Sequence, residues 1–304
     1  MIKSLFPNSI ESYQSFSFIE DSRVGKISHD FSATIGYDGW IFIFNGSNDY
    51  RASYFDYSHA QLGNDWVDLI INRESYFNSL GIDFVQLIVP NKATLIPEKY
   101  PEHLGNGMSV ILQRLLSFSP SPCLLCPILE MRHPLVRYNL FRKNDSHLTM
   151  FGNAFITNLI LKKLNIKQDI NAALFLTKIE HFGDLGSKFE PQISEVFHAP
   201  IFDEGLLDLS KVNKYHEVIL DGFIGIEQSF INHSFIYDKK ILVFGNSFFE
   251  KCPSWGMSPF FVSLFREFHF VWSPHIDHEK VHALKPDIVI AQTCERFLNK
   301  LPLL

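Results

Sequence analysis

The chain has 304 residues, 46% of them hydrophobic and 20% charged, so it can bury a sizeable core and is not a disordered polar tail. Its 27 basic and 33 acidic residues leave a formal charge of −6, which argues against a nucleic-acid-binding surface, since that needs clustered positive charge. The length suits one large α/β domain over residues 1–304, and the thirty Phe suit a thick aromatic core.

The N-terminal stretch MIKSLFPNSIESYQSFSF carries one Lys but no apolar segment, because polar residues recur every two or three positions, and it is not a recognisable secretory signal. No uncharged apolar run reaches the roughly 18 residues of a spanning helix. The chain therefore reads as soluble and cytoplasmic, or as periplasmic if it is trimmed from a longer exported protein. Short apolar runs then alternate with amphipathic stretches, the pattern of an α/β fold. The strand candidates in order are Trp40–Phe44, Phe84–Pro90, Lys240–Asn246, Phe268–Trp272 and Asp287–Gln292. The helix candidates are 58–80, 108–117, 150–164, 259–265 and 277–284. The first helix carries Leu62, Trp66, Leu69, Ile70 and Phe77 in a 3.6-residue stripe. Residues 166–238 mix short β-like pieces with Gly and Asp turns and read as a β-rich insertion. No internal repeat or low-complexity linker is visible.

Phe84–Pro90 and Lys240–Asn246 are nearly continuous apolar runs, as central parallel strands buried on both faces require. Each ends in a polar loop, and ligands of open α/β sheets bind outside the carboxyl ends of the strands. The second strand runs into Gly245-Asn246-Ser247 and an expected helix, a placement that exposes a serine hydroxyl and points backbone N–H groups at whatever it attacks. The plainer reading is a β-turn. Upstream, Asn144-Asp145-Ser146-His147 supplies the base and orienting carboxylate that a serine nucleophile needs. Here the plainer reading is that Asp145 or Ser146 caps the helix beginning near Thr149. After the first strand, Asn91 could donate to an oxyanion, and Lys92 could hold an anionic or hydroxyl-rich substrate; a solvated loop with a surface lysine is the alternative.

Together these pieces resemble the SGNH-like acetyltransferases typified by the alginate O-acetyltransferases of exopolysaccharide biosynthesis. Gly36-Tyr37-Asp38-Gly39-Trp40-Ile41-Phe42 is similar to that family's N-terminal glycine–tryptophan strand, and Pro90-Asn91-Lys92 with Pro97-Glu98 to its proline–lysine loop. Asp145-x-His147-x-Thr149-x-x-Gly152 resembles its Asp-x-His block, and Gly245-Asn246-Ser247-Phe248 its nucleophile block. Lys285-Pro286-Asp287 and Glu295-Arg296-Phe297 are similar to its last strand and closing pair. The blocks keep the family's order over most of the chain.

The resemblance implies a flavodoxin-like, three-layer SGNH fold with a mostly parallel sheet, and an insertion between the Asp-x-His and Gly-Asn-Ser blocks. It implies a Ser247–His147–Asp145 triad that moves an acetyl group through an acetyl-serine to a sugar or polysaccharide hydroxyl. Asn91, Lys92 and Asn246 are the accessory candidates for substrate or oxyanion binding. The implied partners are an acetyl donor and a glycan acceptor, with other polysaccharide-biosynthesis proteins; no cofactor, metal or nucleic acid is implied. Asn246 stands where the family has Asp, and Leu148 where it has Trp, changes that touch the bracing of the nucleophile and the acceptor surface. A carbohydrate esterase with the same triad and a catalytically silent glycan-binding module are the rivals. Three features point elsewhere. His278 and His282, with His275, have zinc-like spacing but lack a metalloprotease glutamate, and they read as an ordinary exposed helix face. Cys123-x-x-Cys126 lacks a second pair and reads as reduced structural thiols, and Glu295-Arg296 reads as an ion pair bracing the C-terminal turn.

Overall fold

The computed structural model describes residues 23–46, 49–118, 121–168, 170, 175–201, 212–219, 226–250 and 256–302, with the backbone alone for 175–178, 197–201 and 212–219. The N-terminal stretch read for a signal and Cys252 lie outside the described residues.

Strands β1 (Ala33–Ile35) and β2 (Ile41–Ile43) form a small antiparallel sheet of their own. The expected strand Trp40–Phe44 is thus shorter and lies outside the main sheet. The turn feeding it is tight: Asp38 and Gly39 adopt φ of 55° and 74°, and Gly36 packs so closely that a Cβ would lie 2.1 Å from the Lys99 carbonyl oxygen. Helix α1 (Ala60–Ser79) follows, then β3 (Asp83–Val89), the single-turn α2 (Lys92–Leu95), α3 (Val110–Ser117), β4 (Leu124–Leu125), the short α4 (Ile128–Met131) and α5 (Met150–Lys163).

The segment read as an insertion contributes two different pieces. β5 (Phe175–His181) and β6 (Glu195–Ile201) pair as a separate antiparallel hairpin. β7 (Val212–Ile219) and β8 (Ile226–Asn232) pair antiparallel and extend the main sheet. The chain then runs through β9 (Tyr237–Gly245), α6 (Ser258–Leu264), β10 (Phe265–Trp272), α7 (His278–Leu284) and β11 (Ile288–Cys294).

The main sheet has seven strands in the order β4-β3-β11-β9-β10-β8-β7. Its first five strands are mutually parallel; β8 runs against them, and β7, antiparallel to β8, runs with them at the edge. Alternate residues of the central strands enter two separate cores, as the two-residue strand period demands. Val85, Leu87, Val89, Ile241, Val243, Ile288 and Ile290 pack with α5 and α6, while Phe84, Ile88, Leu242, Phe244 and Val289 pack with α1 and α3. The result is three layers. On α1 the expected stripe holds at Trp66, Leu69, Ile70 and Phe77, and the Trp66 indole donates to the Leu298 carbonyl at 2.8 Å. Helix α5 is buried nearly all round, consistent with its scarcity of charge. No helix among the described residues is long and apolar enough to cross a membrane.

Candidate functional site

Registers among β3, β11 and β9 bring their carboxyl ends together: Val89 lies beside Cys294, and Ala291 beside Phe244. The nucleophile candidate sits where β9 stops. The Asn246 N–H donates to Gln292 Oε1 at 3.0 Å, and its side-chain Oδ1 accepts the Phe248 N–H at 3.2 Å. Its carbonyl accepts the Phe249 N–H at 2.9 Å, which closes a turn with Ser247 at its crest. The expected helix does not start here. Ser247–Phe249 form a turn, and α6 begins only at Ser258. The Asn246 side chain and carbonyl together hold this turn, and Gln292 holds the strand end. Among the described residues the Ser247 N–H makes no hydrogen bond, so it is available to a developing negative charge.

The structure brings the three separated residues into one chain of hydrogen bonds. His147 Nε2 lies 2.9 Å from Ser247 Oγ, and His147 Nδ1 lies 2.8 Å from Asp145 Oδ1. Asp145 Oδ1 also accepts the His147 backbone N–H at 2.9 Å, so carboxylate and imidazole are tied twice within one turn. Asp145 does not cap α5. That position belongs to Thr149, which accepts the Gly152 N–H at 3.0 Å and donates to the Asn139 carbonyl at 2.6 Å. Phe248 lies against the imidazole, with ring centroids 5.6 Å apart. Burial pushes the Asp145 carboxyl upward, but hydrogen bonds from His147 and His181 and the charges of His147 and Arg142 outweigh it. They hold it well below the usual carboxylate range.

Several partners of this loop were not legible in the sequence. His181 Nε2 reaches Asp145 Oδ2 at 3.3 Å from the end of β5, and the buried Arg142 approaches the same oxygen at 3.5 Å. Asp184, in the turn of the β5–β6 hairpin, accepts both the Ser146 N–H at 2.6 Å and the Ser146 hydroxyl at 2.5 Å. Asn144 donates to the His181 and Ile193 carbonyls at 2.7 and 3.1 Å. At Gly183, with φ of 68°, a Cβ would lie 2.3 Å from the Asn144 carbonyl oxygen. Sequence spacing gives no sign of the contacts made by His181, Asp184 and Gly183, because they join segments about 40 residues apart. Asp145, His147 and Asp184 each offer a ligand atom within 4.8 Å of the others, a spacing that suits a divalent ion. Nδ1 of His147 is the atom already engaged with Asp145.

The accessory candidates are placed differently from the sequence expectation. Lys92 is not on a solvated loop. It is 5% exposed, and its ammonium donates to the carbonyls of Arg142, Lys143 and Asp145 at 3.0, 3.0 and 2.8 Å, above the rings of Trp40 and Phe42. With all three protons engaged inside the protein, it has none for a substrate. Desolvation lowers its pKa to about 8 against the opposing pull of Glu195, Asp184 and Asp145. Asn91 is buried as well, donating to the Tyr54 hydroxyl at 3.2 Å and accepting the Arg296 N–H at 3.2 Å. The Asn246 amide nitrogen faces Cys294 Sγ at 3.8 Å.

The expected Glu295–Arg296 ion pair gives way to two separate roles. Glu295 is fully buried and accepts the Asn91 N–H at 2.8 Å, the Thr94 hydroxyl at 2.6 Å and the Ser109 N–H at 2.7 Å, locking the loop after β3 to the end of β11. Burial raises its pKa while these bonds oppose the rise. The Arg296 guanidinium instead covers the Phe248 and Phe297 rings at 5.5 and 5.0 Å. Away from the site, His278 and His282 pack edge-on against Tyr76, with centroids 4.5 and 6.4 Å apart. Cys123, Cys126 and Cys294 carry free thiols, and burial pushes that of Cys294 up to about 11.

No protein-family model and no curated protein matches the sequence. Solved structures do match the fold. PatB1 of Bacillus cereus superposes with a TM-score of 0.64 at 13% identity, covering 88% of this chain and 99% of PatB1. The same protein with a sulfonyl adduct gives 0.65 at 13% identity, over 89% and 99% of the two chains. A DHHW family protein from Eubacterium siraeum gives 0.53 at 11% identity, over 88% and 92%. The O-acetyltransferase domain of AlgJ from Pseudomonas putida gives 0.47 at 15% identity, over 90% and 94%. What the chain shares with PatB1 and the DHHW family protein is the fold: a mixed α/β architecture around a mostly parallel sheet.

Proposed function

We propose that the chain is a serine-dependent O-acetyltransferase of the SGNH-like type, moving an acetyl group to a hydroxyl of a sugar or polysaccharide. The observation that carries this reading is the Asp145–His147–Ser247 hydrogen-bonded chain at the strand ends, with the Ser247 N–H unengaged beside it among the described residues. Acetyl as the group and a glycan as the acceptor rest on the ordered sequence blocks described above.

In the first half-reaction Ser247 Oγ attacks the carbonyl carbon of an acetyl donor as its proton passes to His147 Nε2. Asp145 holds the ring with its other proton on Nδ1 and stabilises the imidazolium. The Ser247 N–H receives the oxyanion, the imidazolium returns its proton to the departing donor group, and the bond from the acetyl carbonyl carbon to that group breaks. In the second half-reaction the sugar hydroxyl gives its proton to His147 as its oxygen attacks the acetyl-serine, and Ser247 regains a proton as it leaves. Water in place of the sugar would make the same machinery an esterase. The ordered triad geometry argues against a catalytically silent glycan-binding module, since binding alone requires no base beside a serine.

The test is to incubate the protein with a chromogenic acetyl ester, with and without candidate oligosaccharides, and to follow both released chromophore and acetylated sugar. Acceptor-stimulated turnover with acetylated oligosaccharide supports the transferase. Hydrolysis unaffected by any acceptor supports the esterase, and absence of acylation removes both. PatB1 has been captured with a sulfonyl adduct, so a sulfonyl fluoride is a fitting second probe of Ser247.

A further inference from the structure

We propose that Lys92 is a positioning residue of this site: its ammonium gathers three carbonyls of the 142–145 loop onto one point and thereby fixes Asp145 and His147 in line with Ser247. The inference rests on the proposed triad and adds to it a residue that touches neither substrate nor reacting atoms.

Residues 142–147 form a short loop closed by the Arg142 N–H donating to the His147 carbonyl at 3.3 Å. Such a loop is curled with carbonyls inward, and three of them converge on Lys92 Nζ at 2.8 to 3.0 Å. An ammonium has three donors and no acceptor, so the number of bonds matches the protonated form. One of the carbonyls belongs to Asp145 itself, so displacement of the ammonium acts directly on the backbone that carries the carboxylate. Lys92 lies one turn after β3, and the Asn91 N–H before it is anchored by Glu295. The clamp is therefore mounted on the sheet rather than on another loop. Below it the rings of Trp40 and Phe42 offer their faces to the charge and exclude water.

The charged groups acting on the ammonium are Asp145 from the loop, Asp184 from the hairpin turn and Glu195 from β6, and the same three carboxylates act on the Arg142 guanidinium. Glu195 also accepts the Lys143 N–H at 2.7 Å, so the hairpin grips the loop as well. Burial at this density keeps the lysine close to titration, which a merely solvated tether would not be. Buried lysines shift readily in this direction.

The experiment compares wild type, Lys92→Met and Lys92→Arg by two readouts. The first is the rate of Ser247 modification by an activated acetyl ester and by phenylmethanesulfonyl fluoride. The second is the pair of 15N shifts of the His147 ring, which reports which nitrogen carries the proton. Lys92→Met, folded by circular dichroism, should lose on the order of 10²-fold in the modification rate constant at unchanged ester affinity, the scale of an ångström-level misplacement. Its His147 should pass from the Nδ1–H tautomer to a mixture. Lys92→Arg keeps the charge but cannot converge three N–H groups on one point, and it should fall between the two. A Lys92→Met protein with the wild-type tautomer and a rate within about threefold of wild type overturns the proposal. If Lys92→Met does not fold, Lys92→Arg gives the decision by the same two readouts, and a folded Lys92→Arg protein with the wild-type tautomer and rate overturns the proposal. Absence of any modification in the wild type would refute the proposed acyl transfer, while the 15N readout would still judge Lys92.

Discussion

Replacing Asp145 by Asn changes one oxygen for an amide nitrogen in a pocket where every neighbour is a donor. Oδ1 accepts the His147 ring and backbone N–H groups at 2.8 and 2.9 Å, and Oδ2 faces His181 Nε2 at 3.3 Å, the Asp184 N–H at 3.4 Å and Arg142 at 3.5 Å. If the amide oxygen takes the Oδ1 position, its NH2 group points at three donors. If it turns round, the NH2 group meets the imidazole and forces Nδ1 to accept, which moves the ring proton to Nε2. A ring protonated at Nε2 cannot take the serine proton. The expected loss is on the order of 10³–10⁴-fold in Ser247 acylation, as for serine triads in general. Mismatched donors in a buried site should also cost about 1–3 kcal/mol of folding stability. The assay is single-turnover acylation by a chromogenic acetyl ester, with chemical denaturation run on the same preparations. Acylation within about tenfold of wild type by a folded Asp145→Asn protein would refute the tautomer argument.

Three further outcomes follow from buried groups near the site. Glu295→Gln removes one of two acceptor oxygens that between them hold three donors, and should lower stability by about 1–3 kcal/mol in urea denaturation. Gly183→Ala would place a methyl 2.3 Å from the Asn144 carbonyl oxygen at a positive φ. The hairpin should shift away from the Asp145 loop, with a slower Ser247 acylation and a lowered melting temperature as the two readouts. The Asp145 carboxyl is held below its unfolded value, so the unfolded chain binds the extra proton as pH falls. Its contribution to stability should be complete above about pH 4 and decline below that in an acid-denaturation series, and the decline should be shallower in Asp145→Asn.

The fold was legible where one sequence period governs one element. Phe84–Pro90 and Lys240–Asn246 read as buried parallel strands because both faces are apolar, and the Trp66–Phe77 stripe marks α1 because its 3.6-residue spacing makes a single apolar face. The turn around Ser247 was harder, since an Asn before a turn serves a free-standing turn and a helix start equally well. Lys92 was misplaced for a physical cause. A lysine after a strand reads as solvent-facing, and only the folded loop shows three carbonyls waiting for it. His181, Asp184 and Glu195 left no trace, because a lone polar residue in a hairpin acquires its meaning from a contact made elsewhere in the chain. Asp145, His147 and Ser247 stood out in the sequence one by one, and the structure brings their side chains into one hydrogen-bonded chain.

The most direct test of the account is peptide mapping by mass spectrometry after brief exposure to an acetyl donor ester and acid quench. The account predicts one added acetyl group, located on Ser247, absent from Ser247→Ala and formed far more slowly in His147→Ala. No acetyl-enzyme, or an acetyl group on another residue that persists in Ser247→Ala, would contradict it.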